Sequence, residues 1–437
     1  MTSSDPILSN LQKVEPSIQN YKTLKHIIQG SAEGFIVDAM AKDSDEIKPY
    51  FVKYVDPKKY ASKSWPDLRR TIHYTRTEVR FYNEILPLMR KNLPDGSDWE
   101  ICPKVYLAEY DVSGLMEEEE STEAMSTTAD PQYDENNTSA LDGKYGVLVM
   151  DNAIIANKCF QKAPLRLQFG YKSVEALAKF HAAAFQREEI LSMIANRLCR
   201  YGGSYHLKNR NPKELQHLVQ AWEDFKTCVT PVLKNGELDD EKIQNLGQRL
   251  FDAAEYVANE LSPSPGDPYA TVVHGDYKAM NIMFRGNEDD FDGSKSLDEI
   301  PTPLLIDFAS TGVGLGMSDL AMHIAQIALP EDLENNDLEE KLVSHYYTCF
   351  ENALPEDMKS IYSKDEALRH HRLATIDYFR FILGRQWKGV TQEIFAKRNK
   401  DTNFAMVNRN IEAAVKFAER TSAYLTEIEA EMKVKCS

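Results

Sequence analysis

Two short apolar stretches in the second half of the chain each run into side chains that can do chemistry. The sequence TVVHGDYKAMNIMF places Asp276 and Asn281 after the first stretch, and PLLIDFAS ends the second on Asp307. Phosphoryl transfer uses a carboxylate to orient or deprotonate the attacking hydroxyl, and carboxylate and amide oxygens to hold magnesium on the nucleotide phosphates. These three residues supply that set, so their types and spacing indicate phosphotransferase chemistry.

The pattern H-G-D-x-x-x-x-N, followed by an apolar stretch and I-D-F, resembles the catalytic loop and the metal-binding Asp-Phe segment of kinases. Together with FYNEILP, VLVMDNA, LAKFHAAA and SDLA, it is most similar to the ecdysteroid kinase-like, or CHK kinase-like, branch of the aminoglycoside phosphotransferase and choline kinase superfamily. The resemblance runs from about residue 22 to about residue 330. It implies a protein kinase-like fold that uses ATP and Mg²⁺.

The resemblance assigns a role to each residue of the two motifs. Asp276 is the expected catalytic base, and Asn281 and Asp307 are the expected magnesium ligands. His274 is the expected brace of the catalytic loop. Lys278 is either a lysine that contacts the transferred phosphate or a solvated surface lysine. A single aspartate is ordinarily a turn or cap residue, and only the joint pattern favours catalysis.

A lysine and a glutamate upstream would complete the phosphate site. In KPYFVKYV, strand alternation points Lys53 away from its neighbours, as a lysine that reaches the α- and β-phosphates requires. The resemblance gives Glu78 as its helix partner, with Glu84 as the alternative. The competing interpretation is an exposed lysine and an exposed glutamate on separate surfaces.

Two other segments resemble parts of a nucleotide site. In IIQGSAEGFIVDAM, Gly30 and Gly34 would let backbone NH groups approach the phosphates, although an ordinary hairpin glycine is the alternative for Gly30. In VLVMDNA, the linker between lobes, the backbone of Met150, Asp151 and Asn152 would meet the adenine edge. A simple strand end is the alternative there.

The elements around these motifs predict an α+β fold with two lobes. Residues 1–150 should form a small antiparallel β-sheet with one long helix at 65–93, and the apolar alternation places strands at 24–30, 34–40, 48–55, 103–110 and 145–151. Residues 151–437 should form a mostly helical lobe that binds the acceptor. An acidic stretch at about 112–142 lacks the apolar residues that would offset its ordering entropy, which predicts a disordered insertion.

Two polar residues are expected at helix starts in the second lobe. Ser173 is predicted to cap one helix, and Asp319 is predicted to cap another together with Ser318. By resemblance, Asp319 would also brace the catalytic loop. Both roles are structural.

Composition narrows the class of protein. The net charge of −17 repels polyanions, so nucleic acid is not an expected partner. The N-terminal sequence has no signal-peptide pattern and the chain no long apolar run, which predicts a cytoplasmic protein without a membrane partner. The six cysteines lack C-x-x-C spacing, so reduced thiols are expected rather than zinc or disulfides. The resemblance to small-molecule kinases implies that the acceptor is a small hydroxylated molecule.

Other functions were weighed against a small-molecule kinase. A protein kinase would have an A-P-E segment and a longer stretch before the helix at Ser318. A pseudokinase or nucleotide-binding scaffold would usually have lost the base or a metal ligand, and all three are present. A metallohydrolase site at His274, Asp276 and His323 would need further ligands at metal spacing.

The acceptor itself is the least defined part. The aromatic residues Tyr378, Phe379 and Trp387 either wall the acceptor pocket or belong to the core. A choline-like cation would need an aromatic and acidic cage, whereas a sterol or sugar would need a broader apolar or hydroxyl-lined pocket. Ala309 stands where many relatives have glutamine, which removes the substrate contact expected at that position.

Overall fold

An antiparallel sheet forms the first part of the protein. The computed structural model describes residues 5–29, 32–42, 46–93, 99–115, 138–210, 212–233, 236–287, 296–327 and 337–435. Five strands pair in the order β1-β2-β3-β5-β4, with bounds β1 Ile18–Gln29, β2 Ala32–Ala41, β3 Ile47–Val55, β4 Val105–Asp111 and β5 Tyr145–Asp151. The predicted strands are present, and β5 has the predicted bounds.

A short N-terminal helix, which was not predicted from the sequence, packs against one face of this sheet. It is α1 (Pro6–Val14), and the Asp5 carboxylate caps it by accepting a hydrogen bond from the Ile7 amide at 2.9 Å. Ile7 and Leu11 are buried against Val37 and neighbouring apolar residues of the sheet. Burial of this narrow apolar stripe stabilises the helix although it has only 9 residues.

The predicted long helix packs on the sheet in three pieces. These are α2 (Trp65–Arg80), a wide π-helical turn (Phe81–Ile85) and α3 (Leu86–Lys91). Leu115 and Leu141, which fall within the stretch predicted to be disordered, are buried in a small apolar cluster with Trp65 of α2. Residues 116–137 of that stretch lie outside the described residues.

The remainder of the chain is mostly helical, which confirms the predicted fold class. The helices are α4 Ala153–Ala156, α5 Leu167–Ala182, α6 Glu188–Arg197, α7 Leu218–Val229, α8 Glu241–Gln244, α9 Leu246–Glu260, α10 Met317–Ile327, α11 Asp337–Ala353, α12 Lys364–Phe381, α13 Gln392–Arg398, α14 Met406–Arg409 and α15 Ile411–Lys435. In the part of the chain that the structure describes, none of the helices combines the length and apolar character needed to cross a membrane.

Two small sheets hold the loops between these helices. One has the order β10-β9-β6, and the other has the order β7-β11-β8. Their strands are β6 Cys159–Phe160, β7 Cys199–Tyr201, β8 Thr271–Val273, β9 Ile282–Arg285, β10 Leu304–Leu305 and β11 Gly312–Gly314. The turn from β8 to β9 and the turn after β10 carry the two motifs.

Two expectations for the helical part are corrected by packing. Ser173 does not begin a helix: it lies inside α5, where its hydroxyl donates to the Gly170 carbonyl at 2.7 Å and is 2.6 Å from His323 Nε2. The side chains of Tyr378, Phe379 and Trp387 are buried within one apolar core. They therefore stabilise the helical lobe and do not wall a pocket.

Candidate active site

Lys53 lies between two carboxylates that come from distant parts of the chain. Its Nζ atom is 2.7 Å from Glu78 Oε2 on α2 and 2.8 Å from Asp307 Oδ1 after β10. The predicted alternative, Glu84, instead pairs with Arg197 through two hydrogen bonds of 2.8 Å. Strand β3 and helix α2 thus bring the predicted lysine and glutamate together.

Burial and mutual attraction set the charges of this cluster. Burial opposes the charge of Lys53, but Asp307 and Glu78 outweigh it and raise the pKa of the lysine. Burial also acts against the Asp307 carboxylate, yet Lys53 and Lys278 lower its pKa to about 2. Burial raises the pKa of Glu78 to about 7. Repulsion from Asp307 adds to this effect, and the attraction of Lys53 only partly offsets it. Asp307 is therefore firmly ionised at neutral pH.

The loop that carries H-G-D is held by Asp319 at the start of α10. The Asp319 carboxylate accepts hydrogen bonds from the backbone amides of His274 at 2.6 Å and Gly275 at 2.8 Å, and lies 3.1 Å from His181 Nε2. Gly275 has φ of +82°, and a Cβ there would lie 2.1 Å from the Ser310 carbonyl oxygen. Only glycine fits this turn.

His274 connects this loop to the segment that ends on Asp307. Its Nδ1 accepts from the Asp276 amide at 3.3 Å, which leaves Nε2 to donate to the Ile306 carbonyl at 3.0 Å. Burial lowers the pKa of His274, so the neutral ring that this pattern requires is favoured. Phe308 lies next to His274, with ring centroids 4.7 Å apart, and stacks on Phe81 of the π-helical turn with ring centroids 3.9 Å apart.

The side chains of Asn281 and Lys278 both contact Asp276. Asn281 donates its amide NH₂ to the Asp276 carbonyl at 2.8 Å and to Asp276 Oδ2 at 3.1 Å. Lys278 Nζ lies 2.9 Å from the same carboxylate oxygen. Lys278 is therefore part of the cluster and not a solvated surface residue. Neither Asp276 Oδ1 nor Asn281 Oδ1 forms a hydrogen bond with another described residue.

A cavity of about 610 Å³ lies between the sheet and the loop. Its walls include Gly34, which is paired with Lys53 across β2 and β3, and the predicted linker residues Met150, Asp151 and Asn152. Gly30 lies outside the described residues. Lys53, Glu78, Lys278, Asn281 and Asp307 also line it. Nearly every residue predicted for a nucleotide site thus faces one cavity.

In the linker, the side chain of Asn152 is better placed than its backbone to bind a ligand. The amides of Asp151 and Asn152 already donate to the carbonyls of Lys104 at 2.9 Å and Pro49 at 3.4 Å. Asn152 is buried, lines the cavity, and its Nδ2 has no hydrogen-bond partner among the described residues. A buried donor without a partner is costly, and a ligand acceptor would satisfy it. Only the structure identifies this side chain.

A second cavity of about 450 Å³ lies on the other side of Lys53. It shares Lys53, Glu78 and Asp307 with the first cavity, but Asp276 lines only this second one. Its remaining walls are largely polar and include Lys63, Asp67, Arg70, Thr71, Tyr74, Thr75, Ser204, Ala309, Ser310 and Arg385. Apart from Ala309, none of the residues of this wall was predicted from the sequence.

The donor set of the first cavity suits a divalent cation held together with phosphates. Asp307 supplies an ionised carboxylate and Asn281 an amide oxygen, which are ligand types that magnesium prefers. Among the described residues, no group of three or more His, Cys, Asp or Glu is arranged to hold a metal by itself. His323 is fully buried and bonded to Ser173, so the geometry does not favour a metallohydrolase site.

The sheet, the lysine–glutamate pair and the two motifs define a protein kinase-like fold of the phosphotransferase type. The sequence profile of the ecdysteroid kinase-like family matches residues 37–356, well over half of the 437 residues. The chain therefore belongs to the ecdysteroid kinase-like family. No curated protein matches it significantly.

Several solved structures are similar to this chain at low identity. The microcompartment-associated aminopropanol kinase is 12% identical with a TM-score of 0.46, covering 96% of this chain and 98% of that one. Amicoumacin kinase in complex with AMP-PNP, Ca²⁺ and Ami is 10% identical with a TM-score of 0.43, covering 94% and 92%. A choline/ethanolamine kinase family protein from Mesorhizobium loti is 11% identical with a TM-score of 0.38, covering 97% and 96%.

Proposed function

We propose that this protein is an ATP- and Mg²⁺-dependent kinase that transfers the γ-phosphoryl group to a hydroxyl of a small molecule. In this proposal residues 1–150 form the nucleotide-binding lobe, and residues 151–437 carry the catalytic loop and much of the acceptor site. The observation that carries it is the division of the cluster between two cavities. Asp276 faces the second cavity, Asn281 and Lys278 face the first, and Lys53 and Asp307 face both.

Each side chain then has a task that follows from its contacts. Lys53, fixed by Glu78, binds the nucleotide phosphates, and Lys278 neutralises charge on the transferred group. Asp307 and Asn281 would hold the magnesium ion, which supplies charge neutralisation on the phosphates. Those phosphates and the ion would then replace the Lys53–Asp307 contact.

The transfer itself needs a hydroxyl next to Asp276. The hydroxyl oxygen attacks the γ-phosphorus while the bond to the ADP oxygen breaks, and its proton passes to the free Asp276 carboxylate oxygen. Asn281 and Lys278 hold the other carboxylate oxygen, which fixes the direction of the base. Positioning by such contacts is the main catalytic contribution expected for phosphoryl transfer.

The test is a metabolite-library screen with Mg·ATP, read by the mass of the phosphorylated product, for the wild type and Asp276→Asn. The variant should lose transfer by about 10² to 10⁴, because it lacks the base. Its melting temperature and Mg·ATP affinity should stay close to wild type. A variant that keeps more than half of the turnover would remove Asp276 from the mechanism. Binding of Mg·ATP by the wild type, with no transfer to any acceptor, would indicate a nucleotide-binding module instead.

A further inference from the structure

The first cavity is also lined by two residues from the last part of the chain, Thr402 and Asn403. They lie in the segment 399–405, which joins α13 to α14. The match to the family ends at residue 356, so this segment lies beyond it. The proposed function gives these two residues no task. The cavity therefore has a piece of wall that the kinase motifs do not explain.

Hydrogen bonds hold the segment 399–405 in a defined shape. Asp401 Oδ1 accepts from the backbone amide of Asn403 at 2.9 Å and from Asn403 Nδ2 at 3.0 Å. The Phe404 amide donates to the Asp401 carbonyl at 3.2 Å, and Arg409 donates to the Asn399 carbonyl at 3.0 Å. An aspartate that bonds the backbone two residues further on fixes a turn. The position of Asn403 is therefore set without a ligand.

The same contacts show which atom of Asn403 is available to a ligand. A carboxylate accepts hydrogen bonds, so its contact with Asn403 identifies the nearer side-chain atom as the NH₂ group. The other atom, Asn403 Oδ1, forms no hydrogen bond with another described residue. Asn403 therefore offers a hydrogen-bond acceptor to a molecule in the first cavity.

The two residues lie where the first cavity opens to solvent. Thr402 and Asn403 are exposed, and so are Ile28 and Ile154, which line the same cavity. In contrast, Asn152 of the linker is buried. Thr402 and Asn403 are therefore part of the rim of the cavity.

The chemistry of a nucleotide leaves its sugar as the partner of Asn403. Ionised phosphate oxygens only accept hydrogen bonds, so an amide oxygen does not bind them. Under the proposed function the phosphates contact Lys53 and Lys278, and the base lies at the linker with the buried Asn152. The ribose joins these two parts, and its two hydroxyls can both donate. A ribose hydroxyl is thus the group that suits the exposed acceptor at the rim.

We infer that Asn403 Oδ1 accepts a hydrogen bond from a ribose hydroxyl of the bound nucleotide, so that the protein prefers ribonucleotides to deoxyribonucleotides as phosphate donors. This inference rests on the proposed function and specifies the class of the donor. Asp401 is a positioning residue, because it acts through Asn403. Thr402 lines the same rim with a hydroxyl that can donate or accept.

The test is calorimetry with Mg·ATP, Mg·2′-deoxy-ATP and Mg·3′-deoxy-ATP in the absence of an acceptor. The proteins are the wild type, Asn403→Ala and Asp401→Ala. Asn399→Ala is the matched control, because Asn399 is an exposed asparagine of the same segment and does not line the described cavity. Thermal unfolding of each variant checks its fold.

We expect the wild type to bind ATP about three- to tenfold more tightly than at least one of the deoxy analogues, which is the effect of one hydrogen bond. Asn403→Ala should weaken ATP binding by about the same factor and leave binding of that analogue unchanged, so the preference disappears. Asp401→Ala should lose part of the preference, because the acceptor remains but is no longer held in place. Asn399→Ala should match the wild type.

The inference is overturned if the wild type binds both analogues as tightly as ATP, or if Asn403→Ala keeps the preference; the kinase activity would then still stand. If Asn403→Ala does not fold, Asp401→Ala decides, and an unchanged preference in that variant overturns the inference. A ribose preference that depends on Asn403, in a protein that phosphorylates no acceptor, would support the inference and refute the proposed function. A wild type that binds no Mg·ATP overturns both.

Discussion

Replacing Glu78 by glutamine should change how the stability of the protein depends on pH. Burial, opposed by Lys53 and reinforced by Asp307, raises the pKa of Glu78 from 4.5 to about 7. The folded protein thus holds this proton more tightly than the unfolded chain. The wild type should therefore lose stability as the pH rises from about 4.5 to about 7, and the loss should level off above that value.

The size of the effect follows from the shift in pKa. A change from 4.5 to about 7 corresponds to roughly 3 kcal/mol, at about 1.4 kcal/mol for each pKa unit. Glutamine has the shape of the glutamic acid side chain but does not titrate. The free energy of unfolding of Glu78→Gln, taken relative to the wild type, should therefore rise by up to about 3 kcal/mol between about pH 5 and 8.

The measurement is urea unfolding at several pH values, with the difference between proteins plotted against pH so that shared titrations cancel. Glu84→Gln is the matched control: it lies in the next turns of the same helix, is 31% exposed and pairs with Arg197. This control removes a partly exposed carboxylate that is paired with Arg197 and not with Lys53. A Glu78→Gln curve that runs parallel to that of the wild type would refute the burial argument.

Two further predictions concern ligands. Asp307→Ala should weaken ATP binding by at least about tenfold when magnesium is present, and by less when magnesium is absent, because the ionised carboxylate acts through the metal. Calorimetry measures both affinities, and equal losses under the two conditions would contradict this role. Asn152→Ala should lower nucleotide affinity by up to about tenfold, through one lost hydrogen bond. Because the Asn152 side chain is buried, the melting temperature of the free protein should fall only through lost packing, and a nucleotide affinity equal to that of the wild type would contradict the assignment.

The sequence predicted helices and strands well where the spacing of apolar residues matches the face of the element that is buried. The apolar run at 145–151 predicted the bounds of β5, and the spacing of apolar residues predicted the long helix on the sheet. Prediction failed where a long-range contact decides the conformation. Ser173 has the side chain of a cap, yet it lies inside α5 because residues before it also pack against the core.

The sequence by itself determined the family, the fold class and the chemical types of the cluster, because these depend on motifs that are continuous in the chain. It could not determine which charged side chains contact one another in the folded protein. Lys53 and Asp307 are 254 positions apart, and their contact follows from the docking of the sheet on the helical part.

The tertiary structure alone showed the second cavity and the side chains that line it. Arg70 and Arg385 come from α2 and from the turn after α12, and neither stands in a recognisable motif. The electrostatic potential of a cavity is the sum over all side chains that fold around it, and residue spacing along the chain does not contain that sum. The motifs thus predicted phosphoryl transfer, whereas helix packing brings together the side chains that line the second cavity.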